Sequence, residues 1–193
     1  MGPGTETMSG ASAKPAIMPR LFARLRTLPR DRSAATIIEF AIVAAPFIAL
    51  LLATLQTSLV FFSQQCLETV SEETSRQILT GAVRTGNTGI DDFHQIACNN
   101  LPSFMSCANL MVDVQTADSF ADVDTSTPSL YDEDGNPRTW LFNTGGPGDI
   151  VVMRTMYLLP VIGGPLGFSL ANAGGNRRLL VATAVFRTEP YTT

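Results

Sequence analysis

The sequence predicts an α+β protein in which one long N-terminal helix leads into a small head of about three antiparallel strands. Residues 40–67 carry no formal charge, a length that is typical of a membrane-spanning helix. Residues 110–115 alternate between apolar and polar side chains, and two longer runs, 149–159 and 178–187, each end at or near a proline. These three runs are typical of strands. Such a set of elements predicts an α+β head attached to a membrane helix.

The long helix is predicted to extend over residues 33–83. At about 1.5 Å of rise per residue, its uncharged part gives a helix of roughly 40 Å. A bilayer core needs about 30 Å, or about 20 apolar residues, so we place the transmembrane part near residues 37–62. Pro46 is expected to kink or weaken one turn, which membrane helices tolerate. The glycines that follow residue 80 are expected to end the helix.

A removable secretory signal is the main alternative to a membrane anchor. Such a signal has an apolar region of about 7 to 15 residues, which ends in small residues at a cleavage site. The uncharged stretch is about twice that length, and it continues into Ser63, Gln64 and Gln65 without such a site. The pattern therefore favours an anchor.

Charge is distributed unevenly along the 193 residues. Residues 1–34 contain six basic and two acidic side chains, a net charge of +4, whereas residues 35–193 contain seven basic and fifteen acidic ones, a net charge of −8. Arginines next to a membrane span mark its cytoplasmic side. We therefore predict a single-pass protein in contact with membrane lipid, with a cytoplasmic N-terminus. A basic arm is also typical of nucleic-acid binding, but the adjacent span accounts for it, so no nucleic-acid partner is predicted.

The chain is predicted to have three parts. Residues 1–33 form a basic and disordered cytoplasmic leader, which includes a short amphipathic helix at 20–32. Residues 34–84 form the N-terminal helix. Residues 85–193 form the α+β head, which begins with a short helix at 91–98.

Two of the three cysteines are predicted to form a disulfide. Cys98 and Cys107 lie in the head, and a bridge over a loop of about ten residues contributes roughly 2–3 kcal/mol in the chain-entropy model. A metal site is the alternative, but His94 is the only histidine and no Cys-x-x-Cys spacing is present. Cys66 has two interpretations, a small apolar residue of the helix or the cysteine of an intermolecular bridge.

No combination of residues predicts catalysis, a metal ion or a cofactor. Asp132 begins an acidic turn that is similar to a calcium loop, but the twelfth position lacks the bidentate Glu of such a loop. His94 has no nucleophile at a spacing that predicts a catalytic pair, and the glycine-rich segments lack the Lys-Ser/Thr ending of a phosphate-binding loop. We therefore expect a protein that is not an enzyme, with no cofactor and no metal.

The residues around Glu39 resemble the N-terminal motif of the TadE-like minor pseudopilins. This family belongs to the type IV pilin superfamily and acts with the tight-adherence (Flp-type) pilus machinery. Its motif is a glycine, four mostly small or apolar residues, a Glu and an aromatic residue. Here Ala34 stands at the glycine position, residues 35–38 are Ala-Thr-Ile-Ile, and Glu39 and Phe40 follow. The paired cysteines before a strand and the end of the chain are also similar to this family.

The resemblance implies a pilin-like fold and cleavage by a prepilin peptidase between Ala34 and Ala35, on the cytoplasmic side. Glu39 and Phe40 are then the predicted assembly residues. A carboxylate at the bilayer centre costs about 2.5–3.5 kcal/mol on insertion scales. The N-terminal ammonium of a neighbouring subunit would offset this cost and register the subunits. Ala34 departs from the family glycine, and an uncleaved chain would remain a simple anchor.

Two functions follow from these observations. The first is a minor pseudopilin that assists assembly or initiation of a tight-adherence pilus and so supports surface adhesion. It would lie in the bacterial inner membrane with a periplasmic head, or in the pilus. Its partners would be other pilin or pseudopilin subunits, the prepilin peptidase and the inner-membrane assembly platform. The second is an uncleaved, membrane-anchored binding module whose head recognises a secretion partner or a surface ligand.

Overall fold

A computed structural model describes residues 32–190 apart from residues 125, 165 and 166. The predicted leader, up to the start of the first helix, lies outside the described residues. The elements are, in chain order, α1 (Arg32–Leu79), α2 (Ala82–Thr85), α3 (Ile90–Asn99), β1 (Leu110–Ala117), β2 (Ile150–Pro160) and β3 (Arg177–Arg187). The predicted α+β class is confirmed, with its long apolar helix and its three antiparallel strands.

Helix α1 contains 48 residues and includes Pro46 in its interior. The chain divides into two compact units, Met1–Ile48 and Ala49–Thr193, so α1 contributes to both. In the first unit, nearly every described side chain between residues 35 and 48 is exposed, although most are apolar. By length and composition, this helix could cross a membrane. Apolar side chains on all sides of a helix are typical of a segment surrounded by lipid.

The second half of α1 has a different pattern, because only one of its faces is buried in the head. Leu67, Val70, Thr74 and Ile78 are buried at intervals of three or four residues, which is the period of a helix face. The helix ends at Leu79, earlier than the predicted residue 83. Gly81 then adopts a left-handed conformation with φ of 75°, which glycine takes without a steric penalty, and the short α2 follows.

The sheet has the order β1-β2-β3, with both pairs antiparallel. In the central strand β2, every residue from Val151 to Tyr157 is buried, so both faces of this strand are covered. Val151, Met153 and Tyr157 lie on one face by strand alternation, and they belong to the main core with side chains of α1 and α3. The register places Asp113 of β1 directly opposite Arg154 of β2 on the other face.

The predicted disulfide is confirmed, and it joins helix α3 to the short turn immediately before β1. Cys98 and Cys107 are bonded, with their Cα atoms 5.3 Å apart. Phe93 of α3 is fully buried, and its ring lies 5.2 Å from the ring of Phe142. The backbone N–H of Ser106 donates to the Tyr157 hydroxyl at 2.8 Å, which ties the disulfide loop to the central strand.

Candidate functional site

The predicted assembly residues lie near the beginning of α1. Glu39 and Phe40 are both exposed, and 73% of the Phe40 surface is accessible. None of the ion pairs found in the described part of the chain includes Glu39. The structure therefore places an accessible carboxylate beside an accessible aromatic ring. Their role in assembly stays a prediction.

The predicted cleavage position lies near the start of the described part of the same helix. The peptide bond between Ala34 and Ala35 lies within α1, which covers Arg32–Leu79 among the described residues. Cleavage at this bond stays a prediction.

Most polar side chains within the apolar part of α1 form hydrogen bonds with the backbone of the same helix. Hydroxyl groups donate to the carbonyl oxygen four residues earlier at 2.8–2.9 Å in Thr54, Thr57, Ser58 and Ser63. Such bonds let hydroxyl groups lie in an apolar surrounding without a large desolvation cost. Gln56 is different, since its side-chain amide donates to the backbone carbonyl of Ile162, in the segment after β2.

A buried charge pair connects the sheet to the loops that follow β1, and sequence analysis missed it. Asp113 is 3% exposed, and its Oδ2 lies 3.5 Å from Arg154 Nη1. Its two oxygens also accept the Leu141 backbone N–H at 2.9 Å and the Gln115 amide at 2.8 Å. The signal that could have found it is one acid and one base, each within an otherwise uncharged strand.

Asp124 extends this pair toward solvent. Its Oδ2 lies 3.6 Å from Arg154 Nη2, and the same guanidinium nitrogen donates to the Asp124 backbone carbonyl. The pKa of the Asp124 carboxyl is lowered, first because the Ser126 backbone N–H donates to it, then because of the Ser126 side chain, and least because of Arg154. Its carboxylate is thus held by a local turn, and the charge pair lies mainly between Asp113 and Arg154.

The two candidate metal sites have structural explanations in the described residues. Asp132 Oδ1 accepts the backbone N–H groups of Asp134 and Asn136, at 3.1 and 2.8 Å, so this carboxylate stabilises a turn in which Gly135 has φ of 81°. The side chains of His94, Cys98 and Cys107 lie close together, with ligand atoms within 4.8 Å. The two sulfurs form the disulfide, so they are not thiolate ligands.

Cys66 is the free cysteine of the described residues, and it lies on α1 beside the core. It is partly buried and packs against the apolar cluster of the head. This packing fits the interpretation of a small apolar residue. The interpretation as an intermolecular bridge stays open.

These features define a class of protein, namely a small disulfide-containing α+β head carried by an N-terminal helix that could span a membrane. The arrangement is consistent with a single-pass membrane protein.

The family model described as TadE-like protein matches residues 34–76, which begin at Ala34 and include Glu39 and Phe40. The predicted resemblance is therefore confirmed over this segment. It suggests a protein associated with the Tad pilus and implies interaction with other pilus components. No curated protein and no solved structure matches the chain.

Proposed function

We propose that this protein is a minor pseudopilin of a tight-adherence pilus, cleaved by a prepilin peptidase between Ala34 and Ala35. The observation that carries the proposal is the TadE-like match, which starts at the residue before the proposed cut. Cleavage would leave a chain that begins with Ala35 and retains the apolar part of α1. Its head would lie in the periplasm, and its leader in the cytoplasm. The protein itself would perform no chemistry.

The mechanism is assembly through the N-terminal end of α1. Glu39 is exposed on a segment of α1 that is otherwise apolar, where a lone carboxylate is costly if lipid surrounds it. The new N-terminal ammonium of a neighbouring subunit offers the opposite charge, and attraction between charges is stronger in a medium of low dielectric constant. The pair would stabilise only subunits in the correct axial register. The exposed ring of Phe40 would pack beside it against a neighbouring helix.

Ala34 favours the second candidate, an uncleaved membrane-anchored binding module. A peptidase that accommodates glycine at this position meets an additional methyl group here. Without cleavage, no new ammonium forms near Glu39, and the chain remains a single-pass anchor. Its head would then bind a secretion partner or a surface ligand.

Mass spectrometry of the protein extracted from membranes of cells that contain the peptidase distinguishes the two candidates. We expect a chain that begins with Ala35, and a faster conversion in the variant Ala34→Gly, which restores the family residue. A chain that retains Met1 in both the wild type and Ala34→Gly would contradict the proposal. The matched control is Ala45→Gly, which makes the same change elsewhere in α1 and should leave the cleavage rate unchanged.

A further inference from the structure

We propose that the head docks on the surface of the membrane that α1 enters, through five exposed apolar side chains and two arginines next to them. The apolar side chains, called the apolar rim here, are Phe61, Phe62, Phe104, Ile162 and Phe168. The partner is a lipid leaflet that contains anionic headgroups. This inference rests on insertion of α1 into a membrane, which is part of the proposed function.

The apolar rim combines residues of α1 with residues of two head segments. Phe62 of α1 and Phe104 of the disulfide loop stack with their ring centroids 5.6 Å apart. Phe61 and Phe168 line one groove together. Ile162 is 85% exposed, a high value for a large aliphatic side chain, although its backbone carbonyl is held by Gln56 of α1. Contiguous exposed apolar side chains of this kind mark an interaction surface.

All three segments of the rim lack formal charge. Residues 40–67 contain no Asp, Glu, Lys or Arg, and the same is true of residues 95–112 and 155–176. Phe104 of the first head segment contacts Phe62 of α1, and Ile162 of the second contacts Gln56 of α1. Burial of charged side chains would oppose contact with lipid, so their absence from these sequences removes the main cost of such a contact.

Hydrogen bonds fix the position of the head along the second half of α1. Gln56 donates to the Ile162 carbonyl, and Gln64 donates to the Val181 carbonyl at 3.0 Å. Farther along, the Glu189 backbone N–H donates to the Leu79 carbonyl at 3.0 Å. The rim therefore lies at the end of the head that contacts residues 56–62 of α1, and the other end of the head contacts Leu79.

The length of the span places this end at the membrane boundary. A bilayer core of about 30 Å takes about 20 helical residues, which, counted from residue 37, ends near Gln56. The carbonyl that Gln56 contacts belongs to Ile162, so the rim lies where the acyl chains give way to headgroups. Residues 57–62, which we predicted to be transmembrane, would then lie at this boundary, together with the rim.

Two arginines lie immediately beside the apolar rim. In the sheet register, Arg177 is opposite Pro160 and Arg178 is opposite Leu159, only a few residues before Ile162. Arg177 is exposed, and Arg178 Nη1 donates to the Leu170 carbonyl at 3.0 Å. Arginine next to an inserted apolar segment can extend to the headgroup layer and pair with phosphate. The adjacent groove between α1 and residues 159–164, of about 340 Å³, is lined almost entirely by apolar side chains and is open to an acyl chain.

The opposite end of the sheet provides a matched control surface. Phe120 is exposed like the residues of the rim, with 60% of its surface accessible. It lies near Asp149 and Arg187, at the ends of β2 and β3 that are far from the rim. Strand β2 has 11 residues, so this end is separated from the rim by roughly 33 Å at about 3.3 Å per residue. An exposed aromatic residue at that end should not reach lipid.

Depth-dependent tryptophan quenching tests the inference on the full chain in vesicles of phosphatidylcholine and phosphatidylglycerol. In a Trp140→Phe background, single tryptophans are introduced by Ile162→Trp, Phe120→Trp and Leu50→Trp. We expect lipids brominated near the headgroup end of their acyl chains to quench the tryptophan at position 162 but not at position 120. The tryptophan at position 50, within the span, should be quenched by lipids brominated deeper in the acyl chain.

The outcomes separate this inference from the proposed function. If the tryptophan at position 50 is quenched but that at position 162 is not, the docking inference is overturned and membrane insertion stands. A tryptophan at position 162 with blue-shifted emission and no quenching would mean that protein, such as a second copy, covers the rim, which also overturns it. No quenching at position 50 would contradict the proposed function itself.

The two arginines have a separate readout. We expect Arg177→Gln combined with Arg178→Gln to reduce the difference in quenching at position 162 between vesicles with and without phosphatidylglycerol. Arg187→Gln changes an arginine at the opposite end of β3 and should leave this difference unchanged. An unchanged difference in the double variant would overturn the assignment of anionic headgroups.

Discussion

At the scale of single residues, Asp113 and Arg154 form a buried charge pair within the described part of the head. Both are buried, at 3% and 8% exposure, and they face each other across β1 and β2. Burying a charge pair costs a large desolvation energy, which the attraction and the added hydrogen bonds must offset. Here Asp113 accepts two further hydrogen bonds, one of which holds the Leu141 backbone on the outer edge of β1. The pair therefore connects the sheet to its covering loop.

Removal of one partner of this pair should be strongly destabilising. We expect Asp113→Leu to lower the free energy of unfolding by about 3–5 kcal/mol, because it leaves the Arg154 charge buried without its main partner. Denaturant unfolding of the detergent-solubilised protein measures this change.

The matched controls test whether the uncompensated charge is the cause. Asp124→Asn alters the exposed partner of the same arginine, whose carboxylate is 68% accessible, so a much smaller change is expected. Adding Arg154→Met to Asp113→Leu should restore part of the loss, because no charge is then left buried. Equal stability of Asp113→Leu and the wild type would contradict the role given to this pair.

Some of these residues were predictable from the sequence, but their contacts were not. Cys98 and Cys107 were predictable as a pair because they are close in sequence and both belong to the head. The partnership of Asp113 with Arg154 depends on strand register, which joins residues about 40 positions apart, and no local pattern specifies that register. The contact of Gln56 with Ile162 was missed for the same reason, since it depends on how the chain returns to α1.

At the scale of the elements, the two parts of α1 have different patterns of side chains. The first part of α1 is apolar on all sides, whereas from residue 63 onward small and apolar residues form one buried stripe. The change from one pattern to the other was readable because a helix has a fixed period. The end of α1 was less predictable, because three glycines follow residue 80 and only the structure shows that Gly81 takes the left-handed conformation.

The disulfide stabilises the connection between α3 and β1. The double variant Cys98→Ser and Cys107→Ser lacks the bridge. Its free energy of unfolding should be lower by roughly 2–3 kcal/mol, the chain-entropy value for a loop of about ten residues. Denaturant unfolding measured with and without a reductant tests this. Reductant should destabilise the wild type and leave the double variant unchanged.

Cys66→Ser serves as the control for the third sulfur. This variant removes the free cysteine of α1 and retains the bridge. The stability of the variant should therefore still fall when reductant is added. If reductant has no effect on the wild type, the disulfide does not contribute to stability as argued.

At the scale of the whole molecule, the distribution of charge supports the proposed orientation. The N-terminal 34 residues carry a net charge of +4, and the remainder carries −8. Basic residues at one end of a span favour the cytoplasmic side for that end. The acidic residues of the head lie outside residues 95–112 and 155–176, the two segments that contribute Phe104, Ile162 and Phe168 to the apolar rim. One chain thus combines a basic N-terminal part, an uncharged segment long enough to span a membrane, and an acidic remainder.

Incorporation into a filament should depend on the charge of Glu39. In cells that carry the remaining pilus components, we expect Glu39→Ala and the nearly isosteric Glu39→Gln to strongly reduce the amount of pilus sheared from the surface. Both variants remove the carboxylate that would pair with a neighbouring N-terminal ammonium. Glu73→Gln is the matched control, since it removes an exposed charge elsewhere on α1. Immunoblots of membranes should show equal protein in all variants. Normal pili in Glu39→Gln would refute the charge pair, because that variant preserves the size of the side chain and changes only its ability to carry charge.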